Sequence, residues 1–420
     1  MSVPFADALK SAPWLRSKAS RRLLTALSAE DHPVRFVGGC VRDGLLGDLT
    51  PKGDLDLATP ARPDQIIALL EKAGIKVIPT GLAHGTVTAV CSGQTFEITT
   101  LREDIACDGR HAEVRFTDDF AADAARRDFT INAMSVDCQG QLFDYFGGRE
   151  DLADGRVRFV GDAQQRVRED YLRILRFFRF FASYGRPPTD QQALEACRHG
   201  AHGIKTLSGE RIRVEMLKLL SAKDPDPALD LMIETGVAVE ILPVSPKLDL
   251  LRRLSSFAPD ADPLLRLAAL LRSAASEART VETLSDRWRL SNAERERLSR
   301  LVLEPSVRVS FTPRRARRDL YRLGSALYLD LFHLSAAATD FKAEDLENAK
   351  AIVASWRSPV LPIRGQDLID RQMRPGPDLG KLLSELEAWW LDQDMQPDRE
   401  ACLSELERRL GTDDPSSAAC

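Results

Sequence analysis

At 420 residues and 44% apolar content, the chain is long enough for several domains with sizeable cores, and its formal net charge of −5 excludes a protein that is basic all over. Seven cysteines without a C-x-x-C pair suggest neither a disulfide framework nor a zinc site and point to a reducing compartment, expected to be cytoplasmic. No apolar run reaches the length of a membrane span and no signal-peptide core opens the chain, so no membrane partner is expected.

Residues 1–30 read as one helical segment around Trp14, Leu15, Leu23, Leu24 and Leu27. Ser11 to Arg22 is basic and acid-poor, as transit peptides are, but a short helix packed on the first domain is the reading adopted. Val34 to Val37 is a short β-branched and aromatic run. Gly38 and Gly39 punctuate it, and Val41 to Leu46 has helical spacing, so strand, tight turn and helix follow one another. Without a Cβ, Gly38 and Gly39 let the backbone approach a phosphate, and the amides opening the helix point at the same anion.

Asp54-Leu55-Asp56-Leu57 then places two carboxylates on one face of a strand and the leucines on the other. At about 4 Å such a pair repels by roughly 4 kcal/mol at an effective dielectric near 20. A divalent cation removes that repulsion, and hard oxygen donors with nucleotide phosphates suit Mg²⁺. Alone, a Gly-Gly is a turn and an Asp-x-Asp a solvated loop. Together, in this order, they read as a metal–triphosphate site.

Residues 62–73 have helix spacing, and Lys76 to Pro79, Thr86 to Cys91 and Thr95 to Thr100 read as successive strands of a small mixed α/β domain. Glu97, on the last strand, is either a third acid facing Asp54 and Asp56 or an ordinary exposed carboxylate. Arg102 to Phe120 is charged, weakly periodic and contains an Asp-Gly, so it reads as a mobile loop beside the site. In Arg126-Arg127-Asp128-Phe129-Thr130-Ile131-Asn132, ahead of an apolar strand, Arg127 suits phosphate while Asp128 and Asn132 suit ribose hydroxyls; the plainer alternative is a helix start with a salt bridge. Gln141 to Asp151 reads as a hairpin end and turn that closes the domain.

From about residue 160 the signal is helical. Tyr171, Ile174, Leu175, Phe178 and Ala182 share one face of a helix, and Asp170, Arg173, Arg176 and Arg179 recur every third residue opposite. That half is either a solvated charged face or a net positive stripe attractive to a triphosphate. Ser208 is the expected N-cap of the helix begun by SGERIRVE, with Glu210 or Arg211 serving helix-end packing. Helices are expected over 224–243, Leu264 to Leu271, Val281 to Leu290, Ala293 to Leu303 and Arg314 to Tyr328, with residues 411–420 frayed. Arg314, Arg315, Arg317 and Arg318 form the densest basic patch, suited either to an RNA phosphate backbone or to a solvated helix face.

In order, GGCVRD, GDLDLAT, RRDFTINAM, EDYLRILRFFRF and SGERIRVE resemble the class II tRNA nucleotidyltransferases, the bacterial CCA-adding enzymes, and the related bacterial poly(A) polymerases, within the superfamily of DNA polymerase beta. The resemblance covers residues 34–243 closely and the tail loosely. It implies an α/β plus all-α architecture: a helical flank (1–30), a mixed-sheet nucleotidyltransferase head (31–150), a helical neck carrying the nucleotide-reading helix (151–245), a helical body (246–330) and a helical tail (331–420). By the same resemblance, Asp54 and Asp56 hold two Mg²⁺ ions, Gly39 with Arg42 contacts the incoming nucleotide, and Arg127 and Asp128 bind phosphate and ribose. Asp170 and Arg173 read the base, and Arg176 and Arg179 hold the triphosphate. The implied reaction adds C, C and A to a tRNA 3′ end from CTP and ATP with release of pyrophosphate; oligomeric state stays open.

Rival readings make different demands. Poly(A) polymerases usually carry a strongly basic terminal extension, whereas this tail has Asp392, Asp394, Asp413 and Asp414. Enzymes adding only CC or only A differ partly in the loop at 102–120, which is present. An inactive RNA-binding relative predicts a missing metal carboxylate, and both are present. A dinucleotide-binding dehydrogenase needs G-x-G-x-x-G, which Gly38-Gly39 does not supply. No His-Asp dipeptide marks the family's optional phosphohydrolase domain.

Overall fold

The computed structural model describes residues 9–28, 32–50, 53–79, 81–82, 85–107, 112–274 and 277–412. They divide into two compact units, 1–248 with 279–292, and 249–278 with 293–420.

The first unit opens with α1 (Pro13–Arg16) and α2 (Lys18–Leu27). One helix was expected here. Extended backbone at Ser17 (ψ 152°) divides it, and the Ser17 hydroxyl caps α2 by accepting from Ser20 N at 3.0 Å. Trp14, Leu15, Leu23, Leu24 and Leu27 are all buried, and the Trp14 ring meets Phe36 edge-on at 5.1 Å. The basic stretch is therefore an anchored wall of this unit.

A seven-stranded sheet follows, in the order β3-β4-β5-β2-β1-β8-β9. Its strands are β1 (Arg35–Val37), β2 (Leu55–Thr59), β3 (Lys76–Ile78), β4 (Thr86–Cys91), β5 (Gln94–Thr100), β8 (Ser135–Val136) and β9 (Leu142–Phe143). The β2–β5 pair is parallel and the other pairs antiparallel. Phe36, Leu57, Phe96 and Ile98 are fully buried in its core. Helix α3 (Gly39–Leu45) leaves β1, and α4 (Pro63–Lys72) follows β2. The expected loop at 102–120 is instead a two-stranded antiparallel ribbon, β6 (Arg102–Cys107) and β7 (Ala112–Phe116), followed by α5 (Phe120–Ala125). Asp108-Gly109, a strong hairpin signal, falls between the two strands, outside the described residues. Thr130–Asn132 is a 3₁₀ turn, so the expected strand there is reduced to β8.

Then come α6 (Gly148–Asp154), α7 (Ala163–Glu169), α8 (Leu172–Tyr184), α9 (Gln191–Gly200) and α10 (Gly209–Leu220). The sequence expects α8 to be apolar on one face. Instead Leu172, Ile174, Leu175, Phe177, Phe178, Phe180 and Phe181 are buried nearly all round it, leaving Arg173, Arg176 and Arg179 as a partly buried stripe. Phe129 packs on Phe159 at 4.9 Å and on Phe180 at 5.2 Å between ring centroids, which locks α8 to the segment after α5. Ser208 occupies the N-cap of α10 but makes no side-chain cap bond. Gly209 passes so close to Arg287 O that a Cβ would lie 2.2 Å from it. The unit also holds α11 (Asp226–Glu234), α12 (Ala238–Ile241) and most of α15 (Ala278–Trp288).

The second unit is helical: α13 (Asp249–Phe257), α14 (Pro263–Ser273), α16 (Asn292–Leu303), α17 (Pro313–Leu323), α18 (Ser325–Ala338), α19 (Ala343–Ser355), α20 (Gly365–Ile369), α21 (Pro377–Asp392) and α22 (Arg399–Thr412). The single helix expected from Arg314 to Tyr328 is broken at Gly324, whose φ of +78° only glycine adopts without strain. Ile363, Leu368, Leu386, Trp390 and Leu406 form the core of its C-terminal part. The frayed ending expected at 411–420 lies almost wholly outside the described residues.

Leu23 is fully buried in the first unit. Leu23→Ala is expected to destabilise that unit by about 3 kcal/mol, as deletions at fully buried leucines do. Urea unfolding followed by Trp fluorescence checks it; a loss below about 0.5 kcal/mol contradicts the packing described.

Candidate active site

The register of two strands builds the centre of the site. Asp56 on β2 lies directly beside Glu97 on β5, and Leu57 beside Ile98. The buried leucine and isoleucine fix that register, so both acids face the same way and are exposed. Asp54 immediately precedes β2 and is exposed as well. Asp56 keeps access to solvent, yet the cleft walls partly desolvate its carboxyl. That desolvation, followed by the charge of Glu97, raises its pKa to about 6; Arg127 pulls the other way, and Asp54 adds to the rise.

The glycine turn completes this centre. Gly38 has φ +72°, and a Cβ on it would lie 3.7 Å from Asp56 Oδ2 and 3.5 Å from Arg127 Nη1. The bare backbone thus leaves a cradle beside the acids. Repelling hard oxygen donors next to such a cradle fit a divalent ion: Asp54 and Asp56 would hold it, and it would supply a Lewis acid between protein and phosphate. Among the described residues no cluster of three or more His, Cys, Asp or Glu converges on one point. Phosphate and water oxygens would therefore complete the ion's shell, as is usual for Mg²⁺.

Arginines surround a cavity of about 620 Å³ next to the acids, seven of them against three aspartates. Each described contact has a fixed partner. Asp123, 3% exposed, accepts from Arg126 Nε at 2.8 Å and from Arg102 N at 3.3 Å, and pairs with Arg127 at 3.4 Å. Arg166 donates to Arg127 O at 2.7 Å. Arg42 is 8% exposed; it donates to Asp43 at 2.9 Å and to Asn132 Oδ1 at 2.6 Å, and lies over the Tyr184 ring at 4.3 Å. Tyr184 in turn donates to Asp43 at 2.9 Å, and desolvation chiefly raises its pKa to about 12.

The amide of Asn132 also donates to Asp128 Oδ1 at 3.1 Å, while Asp128 Oδ2 accepts from Arg176 Nε at 2.8 Å. Burial disfavours the charge on Asp128, yet Arg176 and the Asn132 hydrogen bond hold it below the usual carboxylate range. Glu215 on α10, 4% exposed, pairs with Arg179 at 3.2 Å and stands 3.7 Å from Arg176. Burial lowers the pKa of Arg179.

Asp170 and Arg173, which the motifs lead one to expect at the base, line the same cavity. Asp170 Oδ1 accepts from Leu172 N at 3.0 Å and its Oδ2 from Arg211 Nη2 at 2.6 Å. Arg173 Nη1 donates to Arg166 O at 2.8 Å and pairs with Glu169. Arg211, read from the sequence as helix-end packing, therefore lines the site. Its signal was the i,i+4 spacing to Glu215, which puts both on one face of α10. Asp123, Arg166 and Glu215 were missed because single acids and arginines carry no sequence signal of their own.

In the second unit, three of the four patch arginines are tied to acids of the tail. Arg317 Nε donates to Asp394 at 2.9 Å, Arg318 to Asp392 at 2.7 Å, and Arg314 to the Asp392 carbonyl. Arg315 is only partly exposed.

Residues 34–158 match the model of the poly A polymerase head domain, and residues 189–248 that of the probable RNA and SrmB-binding site of polymerase A. The chain is 35% identical to the mitochondrial CCA tRNA nucleotidyltransferase 1 of Mus musculus over 94% of its own length and 91% of the mouse protein. The chain belongs to the CCA tRNA nucleotidyltransferase family. It is also 32% identical to the CCA-adding enzyme of Streptococcus gordonii, over 92% of this chain and 96% of that one. Its fold matches the crystal structure of the Bacillus stearothermophilus CCA-adding enzyme in complex with CTP, with a TM-score of 0.78 and 28% identity over 98% and 99% of the two chains. The mixed-sheet head and helical remainder expected from the family motifs are those of this family. Among the described residues no helix is long and apolar enough to cross a membrane.

The crowded acids of a CCA tRNA nucleotidyltransferase head should cost stability when no ion is bound. A carboxyl raised from 3.8 to about 6 on folding loses no stability below pH 4, and the loss grows until it is complete above pH 6. Asp56→Asn is thus expected to stabilise the protein in EDTA at pH 7.5 by about 1 kcal/mol, allowing for solvent screening of an exposed carboxylate. The gain should vanish near pH 4. Thermal unfolding at both pH values checks this, and equal or lower stability at pH 7.5 contradicts it.

Proposed function

We propose that this chain adds C, C and A to the 3′ end of tRNA from CTP and ATP with release of pyrophosphate, and that Mg²⁺ is its ion. The observation that carries this is the joining of one cavity to both the Asp56 side of the metal acids and the Asp170–Arg173 base readers, in a member of this family. The RNA 3′ oxygen attacks the α-phosphorus, the bond to the bridging oxygen of the β-phosphate breaks with its electron pair, and the hydroxyl proton passes to solvent. Gly38 and Gly39 let the backbone approach the phosphates, and Arg127 faces them beside Asp56. Arg176 and Arg179 stabilise charge on the triphosphate. Asp128 and Asn132 bind the ribose while also holding Arg176 and Arg42 in place. Glu97 is assigned as the third acid of the centre.

Base choice follows from hydrogen-bond valence. Cytosine and adenine both present an amine donor beside a ring-nitrogen acceptor. Asp170 accepts from the amine and Arg173 donates to the ring nitrogen. Arg211 and the Leu172 amide hold the carboxylate, and Glu169 and the Arg166 carbonyl hold the guanidinium, so both readers are preset. Uracil and guanine put a carbonyl opposite Asp170. A buried unpaired polar group costs about 1–3 kcal/mol, more when charged.

The flank, head, neck, body and tail are the proposed division of labour, with Arg314, Arg315, Arg317 and Arg318 proposed to contact tRNA where their tail acids leave N–H groups free. A cytoplasmic location is proposed too; the mouse relative carries the label mitochondrial, so cell fractionation is its test.

Incubation with Mg²⁺, CTP, ATP and a tRNA transcript ending at the discriminator base is expected to yield C, C and A and then arrest, read at nucleotide resolution. A long A tract, a stop after CC, or no addition contradicts the proposal. Asp170→Ala is expected to lower the preference for CTP over UTP about 10- to 100-fold, and Arg211→Ala to lower it in the same direction. Misincorporation assays check both, and an unchanged ratio overturns the assignment of base reading.

A further inference from the structure

The proposed base reader Asp170 is supported from two segments that are nearly continuous in sequence. Its Oδ2 accepts from Arg211 Nη2 at 2.6 Å, in the first turn of α10. Its neighbour Tyr171 lies against the 3₁₀ stretch Ala201–Thr206, where a Cβ on Gly203 would come within 2.3 Å of the Tyr171 ring. Residues 207 and 208 alone separate these segments, and Ser208 gives α10 no side-chain cap. A helix start without that bond has to be fixed from elsewhere.

The end of α15 fixes it. Arg287 Nη1 donates to Leu207 O at 3.0 Å and Nη2 to Ile204 O at 3.1 Å, so one planar guanidinium spans the exit of the 3₁₀ stretch. The carbonyl of Arg287 itself meets Gly209, on which a Cβ would lie 2.2 Å from it. Arg213 completes the bracket by donating to Arg289 O at 3.2 Å. Arg211 and Arg213 stand two residues apart, about 200° around a helix, so α10 is gripped on the side opposite Asp170. Trp288 is fully buried and anchors α15 by donating to Ile241 O at 3.0 Å. The turn that follows is strained: Arg289 has φ +53°, a left-handed conformation that a non-glycine residue keeps only where its surroundings hold it.

Resting on the reading of Asp170 as a base reader, we propose that Arg287 is a positioning residue for base choice. It holds the Ile204 and Leu207 carbonyls so that Tyr171 and Arg211 together set the Asp170 carboxylate. Arg287 does not itself line the cavity. Rejection of a base that presents a carbonyl depends on an acceptor oxygen fixed where an amine must meet it. With the guanidinium removed, two buried carbonyls lose a donor, the exit of the 3₁₀ stretch loosens, and both supports of Asp170 shift together. A carboxylate free to turn aside favours CTP less and excludes UTP less.

The test uses the full chain with Arg287→Ala, Arg287→Lys and Leu23→Ala. Calorimetric titration with CTP and with UTP in Mg²⁺ gives the binding preference without turnover, and single additions to a tRNA transcript give the ratio of kcat/KM. Arg287→Ala is expected to lower the preference for CTP over UTP about tenfold in both, with KM for tRNA unchanged. Arg287→Lys keeps the charge and the stem but not the planar fork; it is expected to lose about threefold, and it carries the test if Arg287→Ala does not fold. Leu23→Ala, destabilised in the same unit, is expected to keep the wild-type preference. An undiminished preference in the Arg287 variants overturns the inference, and so does an equal loss in Leu23→Ala, which would make the effect one of stability alone. A wild type that binds CTP and UTP equally is a different result: it overturns the reading of Asp170, and the inference with it.

Discussion

Mutual repulsion among carboxylates on two neighbouring parallel strands is the constraint around which the first unit is built. The pairing of Leu57 with Ile98 in the core forces Asp56 and Glu97 side by side on the open face, with Asp54 just before the strand. A one-residue slip would bury the acids and expose the apolar side chains, so the sheet cannot relieve the crowding by sliding. Stability is given up at this point, and a bound cation together with substrate phosphates can restore it. Such local conflict between charge and fold is the physical signature of a site that works on a ligand.

Around the acids the arginines are held by a second set of carboxylates. Asp123 sets Arg126 and Arg127, Asp128 sets Arg176, Glu169 sets Arg173, and Glu215 sets Arg179. Partly buried guanidinium groups need such partners, and the partners fix the direction in which the remaining N–H groups point. Donors fixed before the substrate arrives require little rearrangement as charge develops on phosphate. Tyr184, Asp43, Arg42 and Asn132 carry the same logic from α8 to the glycine turn. The phenylalanine cluster around Phe129 and Phe180 fastens α8 to the segment after α5 that carries Asn132.

Local chemistry made much of this legible in the sequence. The glycine pair, the alternation of Asp54 to Leu57 and the three-residue rhythm of Arg173, Arg176 and Arg179 each follow from the geometry of one element. Contacts between elements were out of reach. The Asp56–Glu97 pairing depends on strand register across some forty residues, and Arg317 on α17 finds Asp394, just past α21, only when these distant segments fold together. The ribbon at 102–116 was hidden because its alternation is masked by charge, although its Asp-Gly was a turn signal. Gly324 is a visible helix breaker, but the strongly helical spacing on both sides of it hides the break.

The claim that the paired acids and the cavity beside them form one ion–nucleotide site is tested most directly by Mn²⁺ electron paramagnetic resonance. The wild type and Asp56→Asn would be titrated with a non-hydrolysable CTP analogue present or absent. Protein-bound Mn²⁺ that is weak alone, strengthened by the analogue, and lost in Asp56→Asn is the predicted result. Binding that ignores the nucleotide, or survives the substitution, would contradict the account.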